Sequence, residues 1–174
     1  SGGGFALCGT LGSALQSYNI VSGGVISTQM QTGLPGNGAG LRSLELVNLN
    51  GTEYAYAIDA AGRLGGWRLA EGIDPIPVDL AGEYQHDRTG LVEAVPFSDT
   101  TILAVADSSD GGLSTYAIDP VSGALSARDR FGATEGLAIS TPTAIMSFEA
   151  YGYSWVILAS AGNDTLAVFQ ISEG

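Results

Sequence analysis

Four sixteen-residue stretches decide the fold: Phe5–Ile20 (FALCGTLGSALQSYNI), Tyr54–Leu69 (YAYAIDAAGRLGGWRL), Leu103–Ile118 (LAVADSSDGGLSTYAI) and Val156–Ile171 (VILASAGNDTLAVFQI). They align without a gap, and their starts lie 49, 49 and 53 residues apart. The eleventh position is leucine in every copy: Leu15, Leu64, Leu113 and Leu166. The fourteenth is aromatic, as Tyr18, Trp67, Tyr116 and Phe169, and the sixteenth is Ile20, Leu69, Ile118 and Ile171. Agreement of three columns over four copies marks an internal repeat, which constrains the architecture more tightly than local propensity does.

Each stretch reads as a hairpin. A short apolar strand meets a turn of Gly, Ser, Asp or Asn, and a second strand then alternates in and out. Turn sequences such as Ala61-Gly62 and Asp110-Gly111-Gly112 supply residues that tolerate positive φ. Another short strand is expected before three of the stretches, at Leu44–Leu49, Val92–Phe97 and Ala144–Phe148, each followed by a turn. Those turns fall at Asn50-Gly51, Ser98-Asp99 and Tyr151-Gly152. Outer strands are expected at Val25–Met30, Ile76–Leu80 and Ala124–Arg128. The unit is therefore four antiparallel strands in about 49 residues, the pattern of β-propeller blades, whose sheets bury their faces by stacking on neighbours. A β-sandwich would explain many short strands but not a constant spacing. The expected fold is an all-β propeller segment of about three and a half four-stranded blades, forming one domain over residues 1–174. It begins at the second strand of one blade and ends after the third strand of another.

Composition narrows the partners. The chain has 18 acidic residues against 6 basic ones, all arginine, for a formal net charge of -12. No basic patch can form to neutralise phosphates, which argues against nucleic acid and anionic membrane surfaces. Glycine, at 26 of 174 residues, is about twice its usual share. No apolar run approaches the roughly 18 residues that cross a bilayer, and Ser1-Gly2-Gly3-Gly4 does not resemble a signal peptide. The chain lacks an initiator Met and reads as a mature product or a segment of something longer. The lone cysteine, Cys8, excludes an intrachain disulfide and sits in the apolar run Phe5-Ala6-Leu7-Cys8, where cysteine serves as a small buried hydrophobe.

The stretch Ser98–Arg128 (SDTTILAVADSSDGGLSTYAIDPVSGALSAR) resembles repeats of the lactonase-like, YVTN-type seven-bladed propellers. A polar turn, an aliphatic strand, a Gly/Asp/Ser turn and an aromatic-aliphatic strand follow in order. The closing Asp-Pro-x-x-Gly-x-Leu turn is matched by Asp119-Pro120-Val121-Ser122-Gly123-Ala124-Leu125. The whole chain also resembles the acidic, lysine-poor propeller segments of secreted haemolysin-type calcium-binding bacterial proteins. The resemblance implies a propeller ring, which relatives close with six to eight blades. No catalytic motif of the sugar-lactone hydrolases carries over residue by residue.

Candidate chemistry is sparse. His86, beside Asp87 in the polar segment 82–88, could act as a base or metal ligand, but a solvated loop between blades is the expected role. Asp107 and Asp110, with Ser108 and Ser109, offer oxygen ligands of the kind calcium prefers. The Gly162-Asn163-Asp164-Thr165 turn echoes a calcium-binding repeat that works only in tandem. Both segments fall at hairpin turns, where geometry alone calls for these residues. The aligned aromatics Tyr18, Trp67, Tyr116 and Phe169 are expected to pack between blades, leaving Tyr84, Tyr151, Tyr153 and Trp155, with His86, as ligand-contact candidates. The sequence is read as a non-enzymatic binding or assembly module of a secreted or surface-exposed bacterial protein, recognising a protein or glycan. No cofactor is required, calcium at Asp107 and Asp110 being the lesser reading. The rivals are a lactonase-like hydrolase and a receptor-binding or structural component of a phage-like particle. The four leucines of the repeat are expected to be buried equivalently. The open edges at Phe5–Cys8 and Leu166–Ile171 are expected to need a cover, from a second copy or from the rest of a longer polypeptide.

Overall fold

The computed structural model describes residues 4–9, 14–21, 25–33, 40–70, 73–81, 86–87, 89–97, 100–109, 112–137 and 139–172. For residues 4–33 and for 73–74 only the backbone is considered. The described strands form four sheets. The first joins β1 (Gly4–Gly9), β2 (Ala14–Val21) and β3 (Val25–Gly33) in sequence order. The second is β4 (Leu41–Leu49), β5 (Thr52–Asp59), β6 (Leu64–Ala70) and β7 (Ile73–Pro77), each antiparallel to the next. A two-residue strand β8 (Leu80–Ala81) precedes the third sheet of β9 (Leu91–Phe97), β10 (Thr100–Asp107), β11 (Gly112–Ile118) and β12 (Leu125–Phe131). The fourth sheet has β13 (Pro142–Ala150), β14 (Tyr153–Ser160) and β15 (Thr165–Ile171). One short 3-10 turn, Ala133–Glu135, links the last two sheets. This is the all-β propeller architecture that the repeat demanded.

Each repeat stretch forms a hairpin, as β1–β2, β5–β6, β10–β11 and β14–β15, flanked on both sides in the second and third sheets, with β1 and β15 at sheet edges. The innermost strand is the first of its sheet in the second, third and fourth sheets, while the first sheet starts with β1 at its edge. One expected element divides. The segment Ile76–Leu80 is not a single outer strand, because the chain leaves its own sheet at Pro77. Val78 N–H still donates to the Gly66 carbonyl at 3.0 Å, but the Asp79 carbonyl already accepts from Leu125 N–H of the next sheet at 2.9 Å. There β8 runs parallel to β12 and ties consecutive blades together along their outer rim.

The three repeat columns sort by face, as the period-2 alternation of strands requires. Leu64 lies opposite Ile58, Leu113 opposite Ala106 and Leu166 opposite Ala159, so all three look toward the following blade. Trp67, Tyr116 and Phe169, with Leu69, Ile118 and Ile171, look back toward the preceding one. The core is accordingly split between the blades. Tyr54, Tyr56, Ile58 and Leu64 meet Leu103, Val105, Tyr116 and Ile118 of the third sheet. Val95, Ile102 and Leu113 in turn meet Val156 and Leu158 of the fourth. Trp67 and Leu69 join Ala55 and Ala57 on the opposite face of the second sheet.

The equivalence expected of the leucines fails at one copy. Leu64 and Leu113 are 9% and 4% exposed, whereas Leu166 is 68% exposed. Its orientation is the same as theirs; the difference is that no sheet among the described residues stacks on its side. Leu15 lies among the residues whose side chains are outside the description.

Candidate functional site

In the second, third and fourth sheets a buried oxygen stands at the end of the strand that enters the repeat hairpin. Asp59 ends β5 and is fully buried. Its Oδ1 accepts the backbone N–H groups of Ala61 and Arg63 at 2.8 and 2.9 Å, and its Oδ2 accepts Arg63 Nε at 2.7 Å. Asp107 ends β10 at the corresponding place, 1% exposed. Its Oδ1 takes the Ser109 N–H at 2.9 Å and the Ser109 hydroxyl at 2.5 Å. In the fourth sheet Ser160 ends β14, and its Oγ accepts the Ser140 and Thr141 N–H groups of the connection before β13 at 3.3 and 3.4 Å.

The third blade differs by recruiting His86. Its Nδ1 meets Asp107 Oδ2, and its Nε2 lies 2.7 Å from Tyr116 Oη. With Asp107 accepting the Nδ1 proton, Nε2 accepts the tyrosine hydroxyl. Burial opposes the charge on Asp107, but donation from His86 and Ser109 outweighs it and holds the carboxyl below its usual value. The neighbouring Asp87 accepts from Thr89 and Ser108 and is held low by those hydrogen bonds in the same way, against the effect of its burial. The expectation of a solvated His86 is therefore corrected: its side chain is 1% exposed. It clamps the connection before β9 onto the end of β10 and the face of β11. A base of that kind, enclosed between two partners, presents no open nitrogen to a substrate.

A second group was not singled out by the sequence reading. Glu45 on β4 and Glu93 on β9 occupy adjacent innermost strands. Burial and the nearby Glu93 carboxylate push Glu45 up to about 7. Glu93 is held by Ser147 of the following innermost strand, whose N–H and hydroxyl donate to Oε1 at 2.7 and 2.9 Å. Spacing hides this pair, because 48 residues separate the two glutamates and only the blade period brings them together.

The remaining candidates distribute as follows. Asp107 is committed to its turn and to His86, and no cluster of three metal-ligating side chains occurs among the described residues. Asp110 and Tyr84 lie outside the described residues. The Gly162–Thr165 turn follows turn geometry, with Asp164 at φ 49° and Ser160 Oγ donating to Asn163 Oδ1 at 2.5 Å. Tyr151 is 96% and Tyr153 53% exposed, while Trp155 is half-buried and stacks on Phe148 with ring centroids 6.4 Å apart. No helix among the described residues is long and apolar enough to cross a membrane.

Among the described residues, the fourth sheet carries a bare apolar face. Its outward face aligns Ala144, Ala159 and Leu166 in one row, and Met146, Ile157 and Val168 in the next. Phe148, Trp155 and Gln170 form a third row. Met146 and Val168 are each 53% exposed. In the second and third sheets the corresponding faces are buried by the blade that follows.

Comparison with known proteins agrees with this architecture and goes no further. No family model matches the chain, and no curated protein matches it. Among solved structures, the major allergen Mala s 1 of Malassezia sympodialis superposes with a TM-score of 0.62 at 14% identity, over 98% of this chain and 53% of that one. A candidate 6-phosphogluconolactonase of Bacteroides fragilis gives a TM-score of 0.62 at 16% identity, over 97% and 51%. The complexed SREBP–SCAP binding domains of fission yeast give 0.57 at 9% identity, over 98% and 50%. At such identities the likeness establishes the β-propeller fold alone. The chain spans about half the length of each of these structures.

Proposed function

We propose that the chain is a non-enzymatic binding or assembly module of a secreted or surface-exposed bacterial protein, and that its fourth sheet is the seat of a further blade. The observation that carries this reading is Leu166, which repeats the orientation of Leu64 and Leu113 but remains 68% exposed. Around it lie Met146, Ile157, Val168 and Trp155, an apolar face of the kind that monomeric proteins seldom leave uncovered. The outer edge of β15 adds backbone groups that pair with no strand among the described residues, a template for strand addition. The partner is a protein; a glycan is the alternative ligand. With no other blade available, the isolated chain is expected to associate head-to-tail, its last sheet against the first sheet of another copy.

Light scattering tests this. The parent is expected to form dimers or larger species, and Val168→Asp to shift it toward the mass of one chain. A parent at the mass of one chain, unaltered by that charge, would refute the reading. A lactonase-like hydrolase is the second reading, suggested by the likeness to the Bacteroides protein, although the His86–Asp107 pair is enclosed. It requires a lactone-cleaving activity in the parent that His86→Ala abolishes; the assembly reading expects none.

A further inference from the structure

The third blade shows what the outer edge of the fourth is shaped to hold. In the second sheet β7 lies outside β6, and in the third β12 lies outside β11, whereas β15 is the last strand of its sheet among the described residues. The difference registers on the side of β15 that faces back toward the third blade. Tyr116 and Ile118 of β11 are 1% and 4% exposed. There β12 lies alongside, with Leu125 opposite Ile118 and Ala127 opposite Tyr116, and directly opposed residues share a face. Leu125 and Ala127 both join the core shared with the second blade. Phe169 and Ile171 hold the same repeat positions on β15 but are only half-buried.

Beside that edge a cleft of about 570 Å³ opens between the two blades, with Leu113, Thr115 and Phe131 from one and Phe169 and Ile171 from the other. Phe131 and Phe169 meet edge-on, with ring centroids 6.2 Å apart. An apolar cleft alongside a strand edge is matched by an extended peptide, whose main chain pairs with the edge while alternate side chains enter the cleft. The repeat states which side chains these are. Carried over from the third blade, the residue opposite Ile171 is a branched aliphatic, as Leu125 is. Two places later, opposite Phe169, stands a small residue, as Ala127 is. The residue between them, opposite Gln170, turns to the other face, as the exposed Ser126 does.

We infer that the edge of β15 receives an extended, antiparallel strand of the pattern Leu-x-Ala, supplied by a separate segment of polypeptide. This deepens the assembly reading, resting on it for the open edge of β15 and not for the outward face of the sheet. The probe is an end-blocked, fluorescently labelled copy of Ala124–Phe131, titrated into the Met146→Asp chain and followed by anisotropy. That charge lies on the outward face of β13, two strands from the edge, and should hold the chain at the mass of one copy. Saturable binding with a Kd on the order of 0.1 mM is expected. Amides of 165–171 should gain protection from hydrogen exchange, with those of 112–118 unchanged. Leu125→Asp in the peptide should weaken binding at least roughly tenfold. Ser126→Pro with Ala127→Pro should abolish it, because one of two successive N–H groups faces the ladder. Absence of saturable binding up to about 2 mM would overturn the inference. So would equal binding of either altered peptide, or protection that appears elsewhere than at 165–171. A parent that assembles while Met146→Asp ignores the peptide overturns this inference and leaves the assembly reading standing. A parent at the mass of one chain that binds the peptide supports the inference and overturns only the seat on the outward face.

Discussion

Replacing Leu113 and Leu166 by alanine, one at a time, perturbs the same repeat column in two environments. Leu113 is 4% exposed and sits among Val95, Ile102, Val156 and Leu158 between the third and fourth sheets. Its truncation removes buried carbon and leaves a cavity that two facing sheets cannot easily close. Core leucines in such settings cost about 2–5 kcal/mol, and about 3 kcal/mol is expected at a site held from both sides. For a chain of this size that corresponds to a fall in Tm of roughly 6–12 °C. Leu166, at 68% exposure, should change stability by no more than about 0.5 kcal/mol in a dilute, dissociated sample. Urea denaturation at low protein concentration, with thermal melting as a second probe, measures both. The reasoning is refuted if Leu113→Ala lies within the scatter of surface substitutions, or if Leu166→Ala costs as much as Leu113→Ala in the dissociated chain.

Gly123 has φ 71°, and a Cβ there would lie 2.1 Å from the Tyr54 ring, so Gly123→Ala is expected to cost more than about 2 kcal/mol by the same denaturation assay. Glu45 is raised to about 7, so the fold favours its protonated form; that contribution is complete below about pH 4.5 and is lost as pH rises through about 7. Glu45→Gln should therefore leave stability unchanged near pH 4 and raise it by about 1–2 kcal/mol above pH 8, allowing for the screening of a half-exposed group. Removing the ring in His86→Ala leaves Asp107 buried with one oxygen short of a donor, an expected loss of about 2–4 kcal/mol at neutral pH. The parent's Asp107 contribution is present above the ordinary carboxylate range and is lost as pH falls through its lowered folded value, so the gap between the two chains should narrow in acid. Calorimetry of calcium into a chelator-stripped sample should show no site tighter than about 10⁻⁴ M, because Asp107 is already engaged by its turn and by His86.

The fold was legible because each repeat column has a fixed parity. Leu113 at the eleventh place and Tyr116 at the fourteenth must face opposite ways on one strand, and stacked blades are the arrangement that buries both. The Asp119–Leu125 turn was legible for a similar reason. Asp119 accepts the N–H groups of Val121 and Ser122 at 3.1 and 2.7 Å, as its position before Pro120 suggests. Its second role was hidden: the Val121 and Gly123 carbonyls accept the hydroxyls of Tyr54 and Tyr56 from the preceding blade at 3.0 and 2.7 Å. Contacts between blades leave no mark on local sequence. The same limit concealed the burial of His86, whose surroundings in sequence are polar and whose partners come from strands 21 and 30 residues away. Glu45 and Glu93 escaped notice likewise. Tyr151 and Tyr153, by contrast, were visible as aromatics outside the repeat columns, although the positive φ of Tyr151, 56°, could not be read from the residues alone.

Hydrogen exchange followed by mass spectrometry, at several protein concentrations, tests most directly whether the fourth sheet is a seat for another blade. The strands Thr100–Asp107 and Gly112–Ile118 are covered on both faces within one chain and should be protected equally at every concentration. The segment 153–171 has one bare face and an open edge at β15, so its protection should rise with concentration in the parent. It should stay low in Val168→Asp. Protection of 153–171 that is already complete in dilute monomer, or that is indifferent to concentration and to the Asp substitution, would contradict the account.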